Sequence, residues 1–383
     1  MVKNSLPEGF VFYSGFTGIY GRERPDILLI HAPDGAVAAG VFTTNRLEAA
    51  PVKLAKETLK RSLYVGGVLV NTGFANAATG QRGIEDARRL LNFVADRYKI
   101  TLPLLPASTG VIGVHIPVEK FEAALESAAA HTDLELAARS IMTTDTFPKF
   151  SLIAGSGYTL AGITKGAGMI APSMATTLTF ILTDANLPPS FLKRVLFKAT
   201  QKTYNRISVD GEQSTNDCII LLSSMKKKVI PQLKLEFELL LTELLLKLGM
   251  MVLKDGEGAT KIIKVYGRGF RSENEAEAAC RRVALSLLVK TAIYGCDPNW
   301  GRIYAAIGDA GVSVDEEKLK IYIGPTCVYE GKPLTFDEEE LKKYLQADEV
   351  EIMVDAGLGK GESYFYTCDL TERYIQINSS YKS

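Results

Sequence analysis

The sequence predicts an α+β protein, a layered sandwich of sheet and helix. Three observations carry this expectation. Short apolar runs rich in β-branched residues recur along the whole chain. Helical periodicity lies between them, yet strand and helix do not alternate as a doubly wound sheet requires. The length, 383 residues, exceeds one typical core and suits two.

Taken in order, strands are expected at DILLIHA (26–32), AVAAGVFTT (36–44) and YVGGVLVNTG (64–73). Ile84, Ala87, Leu91, Val94 and Tyr98 then share one helical face. PVEKFEAALESAAA (117–130) opens on proline, which suits a helix N-terminus. SLIAGSGYTLAGIT (151–164) and TLTFILTDA (177–185) read as strand. The Leu-rich run from Leu233 to Leu248 is broken by charges, so it cannot span a membrane. It is expected to form a core-facing amphipathic helix with Leu235, Leu239, Thr242 and Leu246 as its stripe. Sustained heptads, which a zipper needs, are missing. After the strand KIIKVYG (261–267), SENEAEAACRRVALSLLVK (272–290) predicts one long helix, acidic at its start and basic at its end. The strand KLKIYIG (318–324) precedes TFDEEELKKYL (335–345), where Thr335 and Glu338 form a capping box. EVEIMVDAG (349–357) and ESYFYTCDL (362–370) are the last strands.

Composition narrows the function. Hydrophobic residues make up 46% and charged ones 23%, as in soluble globular proteins. Lys+Arg and Asp+Glu both number 44, so neither a nucleic-acid nor a membrane-surface partner is expected. No signal-like apolar segment opens the chain. Cys218, Cys280, Cys296, Cys327 and Cys368 are scattered and form no CxxC pair, which points to reduced thiols in a cytoplasm. With only His31, His115 and His131, neither a metal site nor a His-based triad is expected.

Two motifs bear on chemistry. KGAGMIA, from Lys165 to Ala171, matches a dinucleotide-binding pattern, with Asp184 near where a ribose ligand would stand. That motif needs a helix, but Pro172 would fall inside it and TLTFILTDA follows as strand. The dinucleotide reading is therefore rejected. MATTLTF then presents two hydroxyls, Thr176 and Thr177. As plain strand residues both are unremarkable. A cut before Thr176 would change that, because the new α-amine has a pKa of about 7.7–8.0 and can serve as the hydroxyl's own base. The residue pattern by itself leaves both readings open.

The segment KGAGMIAPSMATTLTFILTDA closely resembles the self-cleaving segment of the ornithine acetyltransferase (glutamate N-acetyltransferase) family of arginine biosynthesis. The likeness continues through FTTNRLEAAPV, NTGFANAATG, STGVIG, MTTDTFPK, SVDGEQSTND, KDGEGATK, DPNWGR and INSSYKS. It implies that family's fold and a cut between Ala175 and Thr176. The products are an α chain, 1–175, and a β chain, 176–383, which associate as a heterotetramer of two α and two β chains. It implies Thr176 as nucleophile, and Thr109 and Gly110 as the oxyanion hole. Thr143, Lys165, Thr176, Glu257, Asn378 and Ser383 become substrate contacts. The implied reaction is a ping-pong transfer of acetyl from N-acetylornithine to glutamate, with no metal and no resident cofactor. Whether acetyl-CoA acts as a second donor stays open. So do a self-cleaving amidohydrolase or aminopeptidase of the same architecture, and an uncleaved binding protein. Three residues depart from the family: Phe74 where asparagine is usual, Ser173 where asparagine is common, and Thr177 where methionine is common.

Overall fold

The computed structural model describes residues 6–19, 24–171 and 177–380, and they form two compact units. The first comprises residues up to Asn205 and Glu212–Val252; the second comprises Arg206–Gly211 and the chain from Leu253 onward. In chain order the first unit begins with β1 (Val11–Gly15), β2 (Ile27–Phe42), α1 (Ala50–Arg61), β3 (Tyr64–Asn71), α2 (Gly80–Tyr98) and β4 (Leu104–Ser108). It continues with α3 (Val118–Glu126), β5 (Ala130–His131), α4 (Leu134–Arg139), β6 (Lys149–Ala154), β7 (Thr159–Lys165), β8 (Leu178–Asn186) and α5 (Pro189–Lys202). The short strand β9 (Ile207–Ser208) belongs to the second unit, and β10 (Cys218–Lys228) and α6 (Lys234–Lys254) return to the first.

The first unit's strands form one mixed sheet with the path β4-β3-β2-β10-β8-β7-β6, and β1 pairs with both β2 and β5. Apolar runs become central strands here because both faces are covered. Along β2, Leu28 and Ile30 enter one core with Val68, Phe180 and Ile220. Ile27 and Leu29 enter the opposite core with Leu90, Val94 and Phe121 of α2 and α3. The two expected strands at 26–44 are one strand, with a register shift against β3 between His31 and Ala36. The central strand β10 has no counterpart among the expected elements, and neither do β1, β4, β5, β9 and the strand Thr326–Glu330 of the second unit.

Helix α2 buries Ala87 and Val94 as expected. Helix α6 corrects the sequence reading. Leu235 and Leu239, assigned to its core stripe, are 67% and 61% exposed, whereas Phe237, Leu241, Leu244, Leu245 and Leu248 are fully buried. Leucines occur around most of this helix, so its periodicity offers several stripes, and packing selects one.

The second unit contains β11 (Ile262–Phe270), α7 (Glu273–Ala284), α8 (Leu287–Tyr294), α9 (Trp300–Gly308), β12 (Lys320–Ile323) and β13 (Thr326–Glu330). It ends with α10 (Glu338–Leu345), β14 (Glu349–Asp355), β15 (Gly361–Cys368) and α11 (Glu372–Ser380). Its sheet runs β13-β12-β14-β11-β15-β9, and one face packs on α7 through Ala276, Ala279, Cys280 and Val283. The expected long helix at 272–290 is two helices. Ser286 leaves helical geometry and its hydroxyl accepts from Val289 N, so it starts α8. The expected capping box is also displaced. Asp337, not Thr335, caps α10 by accepting from Glu339 N and Glu340 N, each at 3.0 Å.

Candidate active site

Three strand ends of the first unit meet in register. Lys165, last in β7, pairs with Leu178, first in β8, and Leu178 pairs with Cys218, first in β10. Thr177 and Asp217 stand one residue before these last two strands, and Cys218 N donates to Thr177 O at 3.1 Å. Among the described residues no helix follows KGAGMIA: residues 166–171 are loop and the next described element is β8, in line with rejection of a dinucleotide site.

Lys165 is 4% exposed, not a solvated surface lysine, and its Nζ donates to Thr109 Oγ1 at 3.1 Å. The resemblance-derived residues Lys165, Thr109 and Gly110 are therefore brought together. Gly110 has φ 132°, and a Cβ there would lie 2.1 Å from the Gly73 carbonyl carbon, so both conformation and space demand glycine. The turn is held from behind. Ser108 O accepts from Asn216 Nδ2 at 2.9 Å, and Ser108 Oγ donates to Asn71 Oδ1 at 2.6 Å. The Gly110 N–H makes no backbone hydrogen bond among the described residues. A preset hydroxyl and such an N–H are donors of the kind that stabilise an oxyanion.

Thr143 reaches this region through Asp145. Asp145 Oδ2 accepts from Thr143 N at 2.8 Å, and Oδ1 accepts from Gly166 N at 2.7 Å and from Lys149 Nζ at 2.6 Å. The side chains of Lys149 and Asp145 are closed off from water. Burial alone would raise the Asp145 pKa, but Lys149, Lys165 and the Gly166 N–H outweigh it and hold the carboxyl down at about 2. Asp217 contrasts with it. It is 1% exposed, and neither carboxyl oxygen completes a hydrogen bond among the described residues. The Thr177 N–H falls short of that geometry but still acts on the carboxyl, as does Lys165; burial outweighs both and raises the pKa well above the carboxylate range. Beneath this level Thr164, Thr179 and Tyr204 close a buried ring of hydroxyls, with contacts of 2.7, 3.0 and 3.0 Å.

In the second unit two resemblance-derived residues also meet: Asn378 Nδ2 donates to Glu257 Oε2 at 2.9 Å. The Glu257 loop is pinned beside α11. Asp369 accepts from Thr260 N at 2.8 Å and Lys261 N at 3.0 Å, and Thr371 Oγ1 donates to Gly258 O at 2.7 Å.

Ala175, Thr176 and Ser383, like Ser173, lie outside the described residues. Phe74 fills a core position, its ring edge-on to Phe121 at 6.1 Å. Asp145, Lys149 and Asp217 were missed as site residues. Each lies inside a motif that carries the resemblance (MTTDTFPK, SVDGEQSTND), and an acid flanked by threonines with a lysine four residues on was the available signal.

An α+β scaffold holding a buried lysine and preset hydroxyl and amide donors defines an enzyme suited to acyl transfer. The chain belongs to the ArgJ family, whose model matches residues 12–383. It is 41% identical over 391 residues to the arginine biosynthesis bifunctional protein ArgJ of Geobacter sulfurreducens, covering 98% of this chain and 99% of that one. It is 41% identical over 390 residues to the glutamate N-acetyltransferase of Methanopyrus kandleri, with the same coverage. A crystal structure of the arginine biosynthesis bifunctional protein argJ from Bacillus halodurans matches with 40% identity and a TM-score of 0.50, over 53% of this chain and 98% of that chain.

Proposed function

We propose that this protein transfers an acetyl group from N-acetylornithine to glutamate through an acetyl-threonine on Thr176, after cutting its own chain between Ala175 and Thr176. The observation that carries the reading is the Lys165–Thr109–Gly110 cluster at the strand ends that flank residues 172–176. Thr176 Oγ takes the acetyl group, its α-amine serving as base. Thr109 Oγ1 and Gly110 N–H hold the oxyanion. Lys165 pairs with the α-carboxylate that donor and acceptor share, and Thr143, Glu257, Asn378 and Ser383 complete the contacts. The amide broken in N-acetylornithine and the amide formed on glutamate are of the same kind, so the exchange needs no resident cofactor or metal. Acetyl-CoA is the candidate second donor; of two equally similar relatives, one carries a bifunctional name and the other a single-activity name.

Cleavage leaves β7 on one fragment and β8 on the other. These strands pair through six residue pairs, from Leu160↔Thr183 to Lys165↔Leu178, and β2 and β10 add a second antiparallel seam. The fragments therefore stay together without a covalent link, and two such pairs form the working assembly in the cytoplasm. The β fragment would hold 208 of 383 residues (383 − 175), about 54%, close to the 53% matched by the Bacillus halodurans chain.

Intact mass and transferase rates of three variants test this. Thr176→Ala abolishes both cleavage and transfer, Thr176→Ser still cleaves, and Thr177→Ala cleaves at the same bond and keeps much of its activity. An uncleaved, inactive Thr177→Ala beside a cleaved, active Thr176→Ala would move the nucleophile by one residue. Incubation with N-acetylornithine alone adds one acetyl mass to the β fragment; release of free acetate in place of transfer would favour the amidohydrolase.

A further inference from the structure

Thr143 and Lys165, two of the proposed substrate contacts, stand on different segments of the first unit. Thr143 lies in the loop between α4 and β6, and Lys165 ends β7. One buried carboxylate ties the two segments together. Asp145 Oδ2 accepts from Thr143 N at 2.8 Å, and Oδ1 accepts at 2.7 Å from the N–H of Gly166, the residue after Lys165. Lys149 Nζ also donates to Oδ1, at 2.6 Å, and supplies the opposite charge that lets a carboxylate stay ionised away from water. The other side of Thr143 is held as well, since Arg24 Nη2 donates to Thr143 O at 2.9 Å.

These three partners of Asp145 are all N–H donors, and they need acceptors at both carboxyl oxygens. An ionised carboxylate offers that. A side-chain amide of the same shape has one oxygen and turns N–H donors toward the remaining partner. The position therefore demands a carboxylate, not merely a polar group of its size. Gly166 shows where the tie acts. Its φ is 147°, so the chain turns out of β7 immediately past Lys165, and the Asp145 bond fixes that turn.

We propose that Asp145 is a positioning residue for recognition of the substrate's α-carboxylate: it fixes Thr143 and the end of β7 in one geometry, so that Thr143 and the Lys165 ammonium meet the substrate together. The inference rests on the substrate contacts proposed above. The Asp145 oxygens are taken up by Thr143, Gly166 and Lys149, so it acts through Thr143 and Lys165 and not on the substrate itself. Donors whose place is set beforehand bind a carboxylate more tightly than donors that must be ordered on binding. The Lys149 ammonium also offsets the repulsion that the Asp145 charge would exert on an incoming carboxylate.

The test is a double-variant cycle on transferase kinetics, with N-acetylornithine and glutamate each varied for wild type, Asp145→Asn, Lys165→Ala and the two combined. Asp145→Asn is expected to raise KM for both substrates about tenfold, with kcat changed by about threefold or less. The mark of positioning is coupling: in the Lys165→Ala background the same change should cost about twofold or less in kcat/KM, since the group it positions is gone. An equal loss in both backgrounds means that Asp145 serves folding alone; that overturns the inference and leaves the substrate contacts standing. Lys165→Ala with unchanged kcat/KM for both substrates overturns the proposed contact and the inference with it. If Asp145→Asn fails to fold, shown by lost protease resistance, Asp145→Asn/Lys149→Met takes its place. That pair keeps one acceptor oxygen and removes the Lys149 charge, and the same comparison of backgrounds decides.

Discussion

In the first unit Lys165 and Thr109 are 4% and 6% exposed, and the Asp145–Lys149 pair beside them is closed off from water. In the second, Glu257 is only half-buried and its partner Asn378 is exposed. The same kind of contact, a charged group meeting a hydrogen-bonding partner, therefore stands in two dielectric settings. In the buried setting a lost partner leaves a charge with no water to turn to; in the exposed one water replaces it. The buried cluster is thus part of what holds its unit folded, and the exposed pair is nearly independent of the folding of its own.

The largest expected effect tests the buried cluster. Asp145→Ala removes the carboxylate that faces the buried Lys149 ammonium, and should lower unfolding free energy by about 3–5 kcal/mol in urea titrations. The double variant Asp145→Leu/Lys149→Met should recover much of that loss, since a packed apolar pair removes the desolvation cost. A single-variant loss no greater than an exposed pair shows, about 1 kcal/mol or less, would break the comparison.

Lys165→Ala comes next. Losing a charged hydrogen bond costs about 1.5–3 kcal/mol, so kcat/KM should fall roughly tenfold to a hundredfold for both substrates. If one substrate suffers and the other does not, Lys165 reads the side chain and not the shared carboxylate.

Acid unfolding sharpens the contrast. Asp145 falls from its ordinary 3.8 to about 2, which contributes on the order of 2–3 kcal/mol. The sign is that of a depressed carboxyl: the stability is present above pH 3.8 and is lost as pH falls through about 2. Melting curves of the Asp145→Asn variant should be less steep in that window than those of wild type.

The smallest effect on stability falls in the second unit. Glu257→Gln and Asn378→Ala should shift unfolding free energy by no more than about 0.5 kcal/mol, while transferase efficiency drops. A stability loss comparable to that of Asp145→Ala would show that the exposed pair is also needed for folding.

Much of this site was legible before any coordinates. The Thr109–Gly110 turn, Lys165, Glu257 and Asn378 all lie in ordered motifs, and each pairs with another named residue or stands beside one. Asp145 and Asp217 were not legible in the same way. An aspartate in a polar segment reads as surface; only the folded surroundings hold one at about 2, through Lys149, Lys165 and the Gly166 N–H, and push the other well up through burial. The core face of α6 was misread for a related reason: Leu235 and Leu241 are equally apolar, and a helix rich in leucine does not say which stripe meets the sheet.

By itself the sequence determined what is local or chemical. Glycine at 110 permits φ 132° where a Cβ would collide with Gly73, serine at 286 can cap a helix, and a hydroxyl stands at 176. Tertiary structure decided everything that depends on partners distant along the chain. It inserted β10 between β2 and β8, aligned Lys165, Leu178 and Cys218 across three strands, and sealed two aspartates from water. The physical reason is that strand pairing and burial are properties of neighbours in space. A residue's charge state follows from the dielectric and the donors around it, and the chain brings these from far away, 56 positions for Lys165 and Thr109 and 121 for Glu257 and Asn378.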